Sequence, residues 1–396
     1  MENINDKKLK LGFFIDTFFP MVDGVVMVVD NYVRRLSKKY DVTVFTTKPR
    51  KKGFDDNTLP YKVVRCKRIP IPTLDYDLPL PKLSGKFKKI IKNGEFDLIH
   101  IHSPFGVGKM GLQYAKKHNI PVVATLHSQF YKDFLKETHI KWLSKSMLKK
   151  VIKVFNKCDE CWAVNANVAE IYYKEYGLKV YPKVHNNGTD FMPVNDFDLN
   201  ALKQKYGILQ DEKICLFVGR LTYLKNIHFI AESLKICKEK GLKFKMLFVG
   251  SGPDENKIKT LVNDLGLNNE VLFLGRITDR EELSKIYAMS DLFLFPSLYD
   301  CSSLVQIEAS SQKTPTLFLA ESATACSVTD NVNGYLSENS TTAYATKIME
   351  IFENNEALKQ VSQNAFDDLY VSWDNAVIKA EKDYLNLIEK FKEKNN

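Results

Sequence analysis

The feature that most constrains this chain is a repeated alternation. Short, almost wholly apolar segments are bounded by Gly, Pro or polar residues, with helix-length amphipathic stretches between them. Residues 10–16, 41–47 (DVTVFTT), 96–102 (FDLIHIH), 122–127 and 160–165 form one series, with a turn at 20–24 and a helical stretch to about residue 39 after the first. The pattern restarts after Asp190 with 214–219 (ICLFVG), 245–250 (KMLFVG), 271–275 (VLFLG), 292–296 and 316–319. Strands that are apolar throughout belong to parallel sheets covered by helices on both faces. At 396 residues the chain is long enough for two such domains, each with its own core. The expected class is α/β, with two doubly wound Rossmann-like domains split near Asn195 and a cleft between them. Ligands of such sheets bind beyond the carboxyl ends of the strands, so functional residues should follow the strands just named.

Charge is unevenly divided. Residues 1–190 hold 34 Lys and Arg against 19 Asp and Glu, a balance of +15, whereas residues 191–396 hold 23 against 29, a balance of −6. A basic first half suggests a polyanionic partner: an anionic membrane, a phosphorylated substrate or a nucleic acid. The basic stretches are rich in Lys and poor in Arg, with no recognition helix or stacking sheet, so no nucleic-acid partner is expected. The opening residues MENINDKKLKLGFFID carry no signal-peptide core, and no apolar run reaches the roughly 20 residues a bilayer span needs. Of seven cysteines, only Cys158 and Cys161 form a CxxC; it lacks a second pair, so ordinary thiols are expected and the compartment reads as cytoplasmic.

Three stretches of the second half carry chemistry. Residues 218–225 (VGRLTYLK) end a strand and put two cations, Arg220 and Lys225, on a strand-end loop. A departing diphosphate needs such charges, because negative charge builds on its bridging oxygen as the bond breaks. Residues 249–253 (VGSGP) form a second strand-to-Gly-rich turn, too short for a dinucleotide fingerprint. In 296–308 (PSLYDCSSLVQIE) two carboxylates, Asp300 and Glu308, frame a small polar loop and a helix start. N–H groups there can hold phosphate oxygens, and Glu308 can accept bonds from ribose hydroxyls.

In this order and at these distances the three stretches resemble the C-terminal half of the family 4 glycosyltransferases, retaining enzymes of the GT-B fold. Pro315, the turn DNVNGYL at 330–336 and Ser372-Trp373-Asp374 extend the likeness. In the first half it rests on Phe19-Pro20 with Asp23-Gly24-Val25, on HSPFG at 102–106, on TLHS at 125–128 and on NGTD at 187–190. The resemblance implies an N-terminal domain of residues 1–192 to which a final helix, 375–396, crosses back, and a nucleotide-sugar-binding domain of 193–374. It places Arg220 and Lys225 on the donor diphosphate, Glu308 on ribose, the backbone N–H groups of Leu304 and Val305 on a phosphate, and Asp300 on hydroxyls of the transferred sugar. His127 is placed under the sugar, and His102 either lines the cleft or simply packs. Gly24, Gly219, Gly250, Gly252, Ile277 and Ser303 complete the implied donor-binding set. No permanently bound cofactor and no metal are implied; the donor is a UDP-sugar, UDP-glucose first. Asp75-Tyr76-Asp77 has metal-pair spacing but lies in a Pro-rich loop far in sequence from the phosphate stretches.

The chain departs from the family pattern at three places. Asp300 stands where Glu is usual, Ser302-Ser303 replaces an aromatic residue and Gly, and a paired-Gly turn near 322–325 is missing. On the acceptor side, residues 81–94 space Leu83, Phe87, Ile90 and Ile91 helically among Lys82, Lys86, Lys88, Lys89 and Lys92. Residues 141–157 carry six Lys and no acid, interleaved with Trp142, Leu143, Leu148, Val151 and Phe155. Each is either the solvated face of a packed helix or a surface that docks to an anionic membrane. Similar basic helices in the family's lipid glucosyltransferases favour a membrane glycerolipid as acceptor and a peripheral place on the inner face of the membrane. A cytosolic enzyme acting on a polysaccharide or protein is the alternative, and a non-catalytic GT-B scaffold the alternative from another class.

Overall fold

The computed structural model describes residues 8–50, 53–71, 77–194, 196–300 and 303–395. Asn195 at the expected split, Asp75 and Tyr76 of the Asp-x-Asp spacing, and Cys301 and Ser302 of the acidic loop lie outside them. The chain divides into two units, Met1–Asn186 with Trp373–Asn396, and Asn187–Ser372.

The first unit holds an eight-stranded sheet: β1 (Lys10–Phe14), β2 (Asp41–Thr47), β3 (Lys62–Ile69), β4 (Leu78–Leu80), β5 (Leu98–Ile101), β6 (Val122–Leu126), β7 (Glu160–Ala163) and β8 (Lys183–Val184), in the order β4-β3-β2-β1-β5-β6-β7-β8. Every pairing is parallel except β3 with β4. That antiparallel edge amends the expectation of a purely parallel sheet. β1, β5 and β6 are buried almost throughout, as strands covered on both faces must be. β3 is different: Val64 and Cys66 turn inward while Lys62 and Lys67 face out. The helix Gly24–Leu36 starts where the Asp23 carboxylate accepts from the Val26 N–H at 2.8 Å, and Arg34 and Arg35 occupy its last turn, where carbonyl dipoles favour cations.

The C-terminal helix Trp373–Asn395 belongs to this unit. Trp373, Ala376, Val377, Ala380, Tyr384, Leu387 and Ile388 recur at helical spacing and are all buried, forming one apolar stripe. Tyr384 reaches between the rings of Phe13, His100 and Trp162. On the polar side, Arg35 pairs with Asp374 at 2.6 Å and Lys39 with Glu381 at 3.0 Å.

The second unit holds a six-stranded, all-parallel sheet: β9 (Lys213–Val218), β10 (Phe244–Val249), β11 (Val271–Gly275), β12 (Leu292–Phe295), β13 (Thr316–Leu319) and β14 (Tyr335–Ser337), ordered β11-β10-β9-β12-β13-β14. This is the doubly wound order in which the winding reverses between the first and fourth strands, here β9 and β12. In the first unit the reversal falls between β1 and β5. The loops leaving these strands are where a ligand site is expected in each sheet.

Candidate functional site

In the second unit the loops after β9 and β10 are locked together by backbone. The Gly219 N–H donates to the Val249 carbonyl at 3.0 Å, Leu221 to Ser251 at 3.1 Å, and Asp254 to Leu221 at 3.2 Å. Such close approach leaves no room for side chains. A Cβ on Gly250 would sit 1.9 Å from the Gly219 carbonyl oxygen, and one on Gly252 would sit 2.2 Å from that of Leu221. Gly250 also has φ +133°, outside the range that L-residues favour. These two glycines therefore hold the cation-bearing loop in place, whatever else they contact. Gly252→Ala should cost about 2 kcal/mol and lower the melting temperature by roughly 4–8 °C, measured by calorimetry. An unchanged Tm would mean that the loops separate freely.

Across the winding reversal, Lys225 from the β9 loop makes an ion pair with Asp300 from the β12 loop. The chain turns at Asn226 (φ 58°), whose amide donates to the Pro296 carbonyl at 3.3 Å and so ties the same two loops. The Lys225 ammonium lies 5.7 Å from the centroid of the Phe295 ring. The other carboxylate oxygen of Asp300, Oδ2, is buried without a hydrogen-bond partner among the described residues. Arg220 is exposed and has no ion-paired partner among the described residues. The sequence names both cations and the acid but not their pairing, which joins positions 75 apart in the chain.

Ser303 caps the helix Leu304–Ser311, its hydroxyl accepting from the Gln306 N–H at 3.1 Å. Leu304 and Val305 lie in the first turn, where backbone N–H groups have no carbonyl four residues back to bond. Glu308, further along, is already held: Oε1 accepts from Arg280 at 3.0 Å and Oε2 from the Tyr287 hydroxyl at 3.1 Å. Burial pushes its carboxyl up, and the Arg280 guanidinium works against that rise. Arg280 in turn lies 3.8 Å over the Phe191 ring. Arg280 and Tyr287 escape sequence reasoning because they sit in an ordinary polar helix, Arg280–Met289, with no motif around them. Ile277, just before it, packs partly buried against the core of this unit.

In the first unit, His102 follows β5 and His127 follows β6, and the two rings meet, His102 Nδ1 lying 2.9 Å from His127 Nε2. His100, inside β5, bonds the Tyr384 hydroxyl at 2.5 Å and Thr125 Oγ1 at 2.7 Å. Burial lowers all three histidines, His127 to about 3, so all are neutral at neutral pH. Asp16, after β1, is a residue the sequence does not single out. Its Oδ1 accepts from the Val107 N–H at 2.7 Å, its own N–H donates to Ser103 Oγ at 2.8 Å, and its Oδ2 is buried without a hydrogen-bond partner among the described residues. Burial raises its carboxyl to about 6. Gly24 opens the helix after Asp23 with open space around it, so packing does not require a glycine there.

The CxxC thiols point at backbone, Cys158 at the Val154 carbonyl and Cys161 at that of Phe155, each at 3.6 Å, and burial pushes Cys161 up to about 12. Among the described residues, no group of three or more His, Cys, Asp or Glu side chains could hold a metal ion, and no helix is long and apolar enough to cross a membrane.

The family model described as Glycosyl transferases group 1 matches residues 198–368, and that of Glycosyltransferase Family 4 matches residues 22–191. The chain is 25% identical over 373 residues to an alpha-monoglucosyldiacylglycerol synthase of Acholeplasma laidlawii, covering 90% of this chain and 92% of that one. A protein of the same name from Streptococcus pneumoniae is 24% identical over 322 residues, 78% of this chain and 70% of that one. Among solved structures, Anabaena HepE in complex with UDP and glucose superposes with a TM-score of 0.72 at 18% identity, covering 94% of this chain and 98% of that one. A sucrose-phosphate synthase from Thermosynechococcus elongatus gives 0.74 at 18% identity, covering 97% and 100%.

Proposed function

Because the chain belongs to the family 4 glycosyltransferases, nucleotide-sugar-dependent enzymes of the GT-B fold, we propose that it moves glucose from UDP-glucose to a membrane glycerolipid with retention of anomeric configuration. The observation that carries the donor side is the meeting of Lys225 and Asp300 at the winding reversal of the second sheet, with Arg220, exposed and without an ion-paired partner among the described residues, on the loop that carries Lys225. When the bond from the anomeric carbon to the diphosphate oxygen breaks and one to an acceptor hydroxyl oxygen forms, charge gathers on the diphosphate, and the hydroxyl proton passes to the departing UDP. Arg220 and Lys225 supply fixed positive charge at that point without a divalent metal. Asp300, through the oxygen left without a partner, takes a sugar hydroxyl. Glu308 accepts the ribose hydroxyls on the lone pairs that Arg280 and Tyr287 leave free, and the helix start at Leu304 and Val305 receives a phosphate oxygen. His127, in the first unit, is read as serving the sugar.

UDP and glucose as donor parts are supported by the HepE complexes, and a diacylglycerol-type acceptor by the names of the two synthases. The first unit's surface supports the same acceptor. Lys86, Lys88, Lys89 and Lys92 are exposed on a helix that buries Phe87 and Ile91. On the helix Lys141–Phe155, Trp142 is 72% exposed among lysines, where a core-packed helix would bury it. Lys149, Lys153, Lys157 and Lys179 line a pocket of about 410 Å³, and none has an ion-paired carboxylate among the described residues. Exposed Trp beside lysines suits the boundary between headgroups and acyl chains, and supports a peripheral place on the cytoplasmic face of a membrane.

The test is a donor screen with purified protein, scoring nucleotide release with and without anionic vesicles containing diacylglycerol. UDP release from UDP-glucose that rises with the vesicles is expected. Release driven equally well by soluble sugars or proteins would move the acceptor assignment, and no release from any sugar nucleotide would leave the scaffold reading. On the same preparation, Glu308→Gln should weaken UDP about tenfold by calorimetry, the loss of a hydrogen bond to a charged group. Unchanged affinity would remove the ribose role.

A further inference from the structure

We infer that His102 is a positioning residue that fixes His127 in one tautomer, with its proton on Nδ1, so that His127 serves the reaction as a neutral hydrogen-bond donor. The inference rests on the reading that His127 meets the sugar donor.

The contact is between His102 Nδ1 and His127 Nε2, 2.9 Å apart. Only one proton can lie between them, and two neutral rings offer two ways to supply it. His102 is 4% exposed, with the Phe13 ring stacked at 5.7 Å and the His100 ring 3.9 Å away. Its second nitrogen, Nε2, is buried and has no hydrogen-bond partner among the described residues. If His127 supplied the shared proton, His102 would carry its own on Nε2, leaving a buried N–H with no acceptor. Orphaned buried donors are rarer than under-used acceptors and cost the full desolvation of the group. If His102 supplies it, Nε2 is merely a lone pair facing apolar neighbours, and His127 must hold its proton on Nδ1. The second arrangement is the stable one. His100 offers no escape, since both its ring nitrogens are engaged by Tyr384 and Thr125.

The consequence for chemistry is specific. His127 Nδ1 has no hydrogen-bond partner among the described residues, whereas the residue itself is half-buried at the end of β6. It is therefore the nitrogen that a ligand oxygen can reach, and it arrives as N–H. A second proton on the pair would put a charge beside His100 in a desolvated site, so His127 neither gives nor takes a proton in turnover. It donates a hydrogen bond to an oxygen of the sugar or of its departing phosphate.

The test begins with the whole protein labelled with ¹⁵N-histidine. At neutral pH, without nucleotide, His127 should show a pyrrole-type Nδ1 and a pyridine-type Nε2 in long-range proton–nitrogen correlations. The reverse pattern overturns the proposal. Turnover of UDP-glucose then separates positioning from packing. His102→Asn keeps an amide donor at the place of Nδ1 and should retain both the His127 tautomer and kcat within about threefold. His102→Leu removes the donor and should lower kcat about tenfold or more while leaving UDP affinity, a property of the second unit, unchanged. Unchanged tautomer and kcat in His102→Leu would sink the positioning role. Normal turnover in His127→Phe, with the expected tautomer intact in the parent, would instead remove the sugar-contact reading and leave the tautomer assignment standing.

Discussion

Lys225→Ala and Arg220→Ala should each reduce turnover of the nucleotide sugar by about 10²-fold or more, because in the proposed site each charge acts mainly on the departing diphosphate. The two losses should differ in kind. Arg220 is exposed and has no partner among the described residues, so its removal should leave the melting temperature unchanged. Lys225 is the partner of Asp300, whose other oxygen is already buried without a hydrogen bond. Removing it both deletes a cation and leaves an uncompensated carboxylate where the phosphate charge must gather. Lys225→Ala should therefore be the more damaging of the two, and replacing Asp300 by Asn in the same chain should recover part of the loss. Steady-state UDP release, with Tm recorded for each variant, checks both statements. Near-normal rates in both single variants would take the donor site away from this loop.

The second large effect concerns the first unit. Reversing Lys86, Lys88, Lys89 and Lys92 to Glu should abolish binding to anionic vesicles while leaving UDP affinity intact. Each Lys near an anionic surface contributes on the order of 1 kcal/mol, so four reversals outweigh any plausible surface attraction. Binding by the parent protein should fall steeply with salt, because the attraction decays over a Debye length of about 8 Å at physiological ionic strength. Vesicle co-sedimentation over a salt series measures this directly. A parent protein that ignores anionic vesicles even at low salt would end the glycerolipid reading. The donor chemistry would be untouched, since Arg220, Lys225 and Glu308 lie in the other unit.

Much of the scaffold was readable from residue order. Continuous apolar runs such as VTVFTT and VLFLG announce strands covered on both sides, and β2, β11 and β13 begin and end where the runs do. β3 hides because only alternate residues are buried and four of its eight are Lys or Arg. β8 and β14, of two and three residues, are too short for any period to show. At the site, the residue types were legible but their partners were not. Lys225 with Asp300, Glu308 with Arg280 and Tyr287, and His102 with His127 are joined by the sheet order, not by proximity in the chain. Trp142, read as one apolar residue among several in a basic helix, differs from its neighbours only in facing outward.

The placement of the last helix has a consequence for biosynthesis. The second unit is an insertion within the first, since the chain returns to the first unit only at Trp373. Tyr384, wedged among Phe13, His100 and Trp162, is made only after every strand of both sheets. On the ribosome, then, the second unit has all its strands before the first can close its core, and the nascent first unit keeps His100 without its tyrosine partner until the whole second unit has been made. Order of completion runs opposite to order of translation. A nascent chain that stops at Ser372 possesses every residue proposed for the donor site and still lacks the helix whose Tyr384 meets His100.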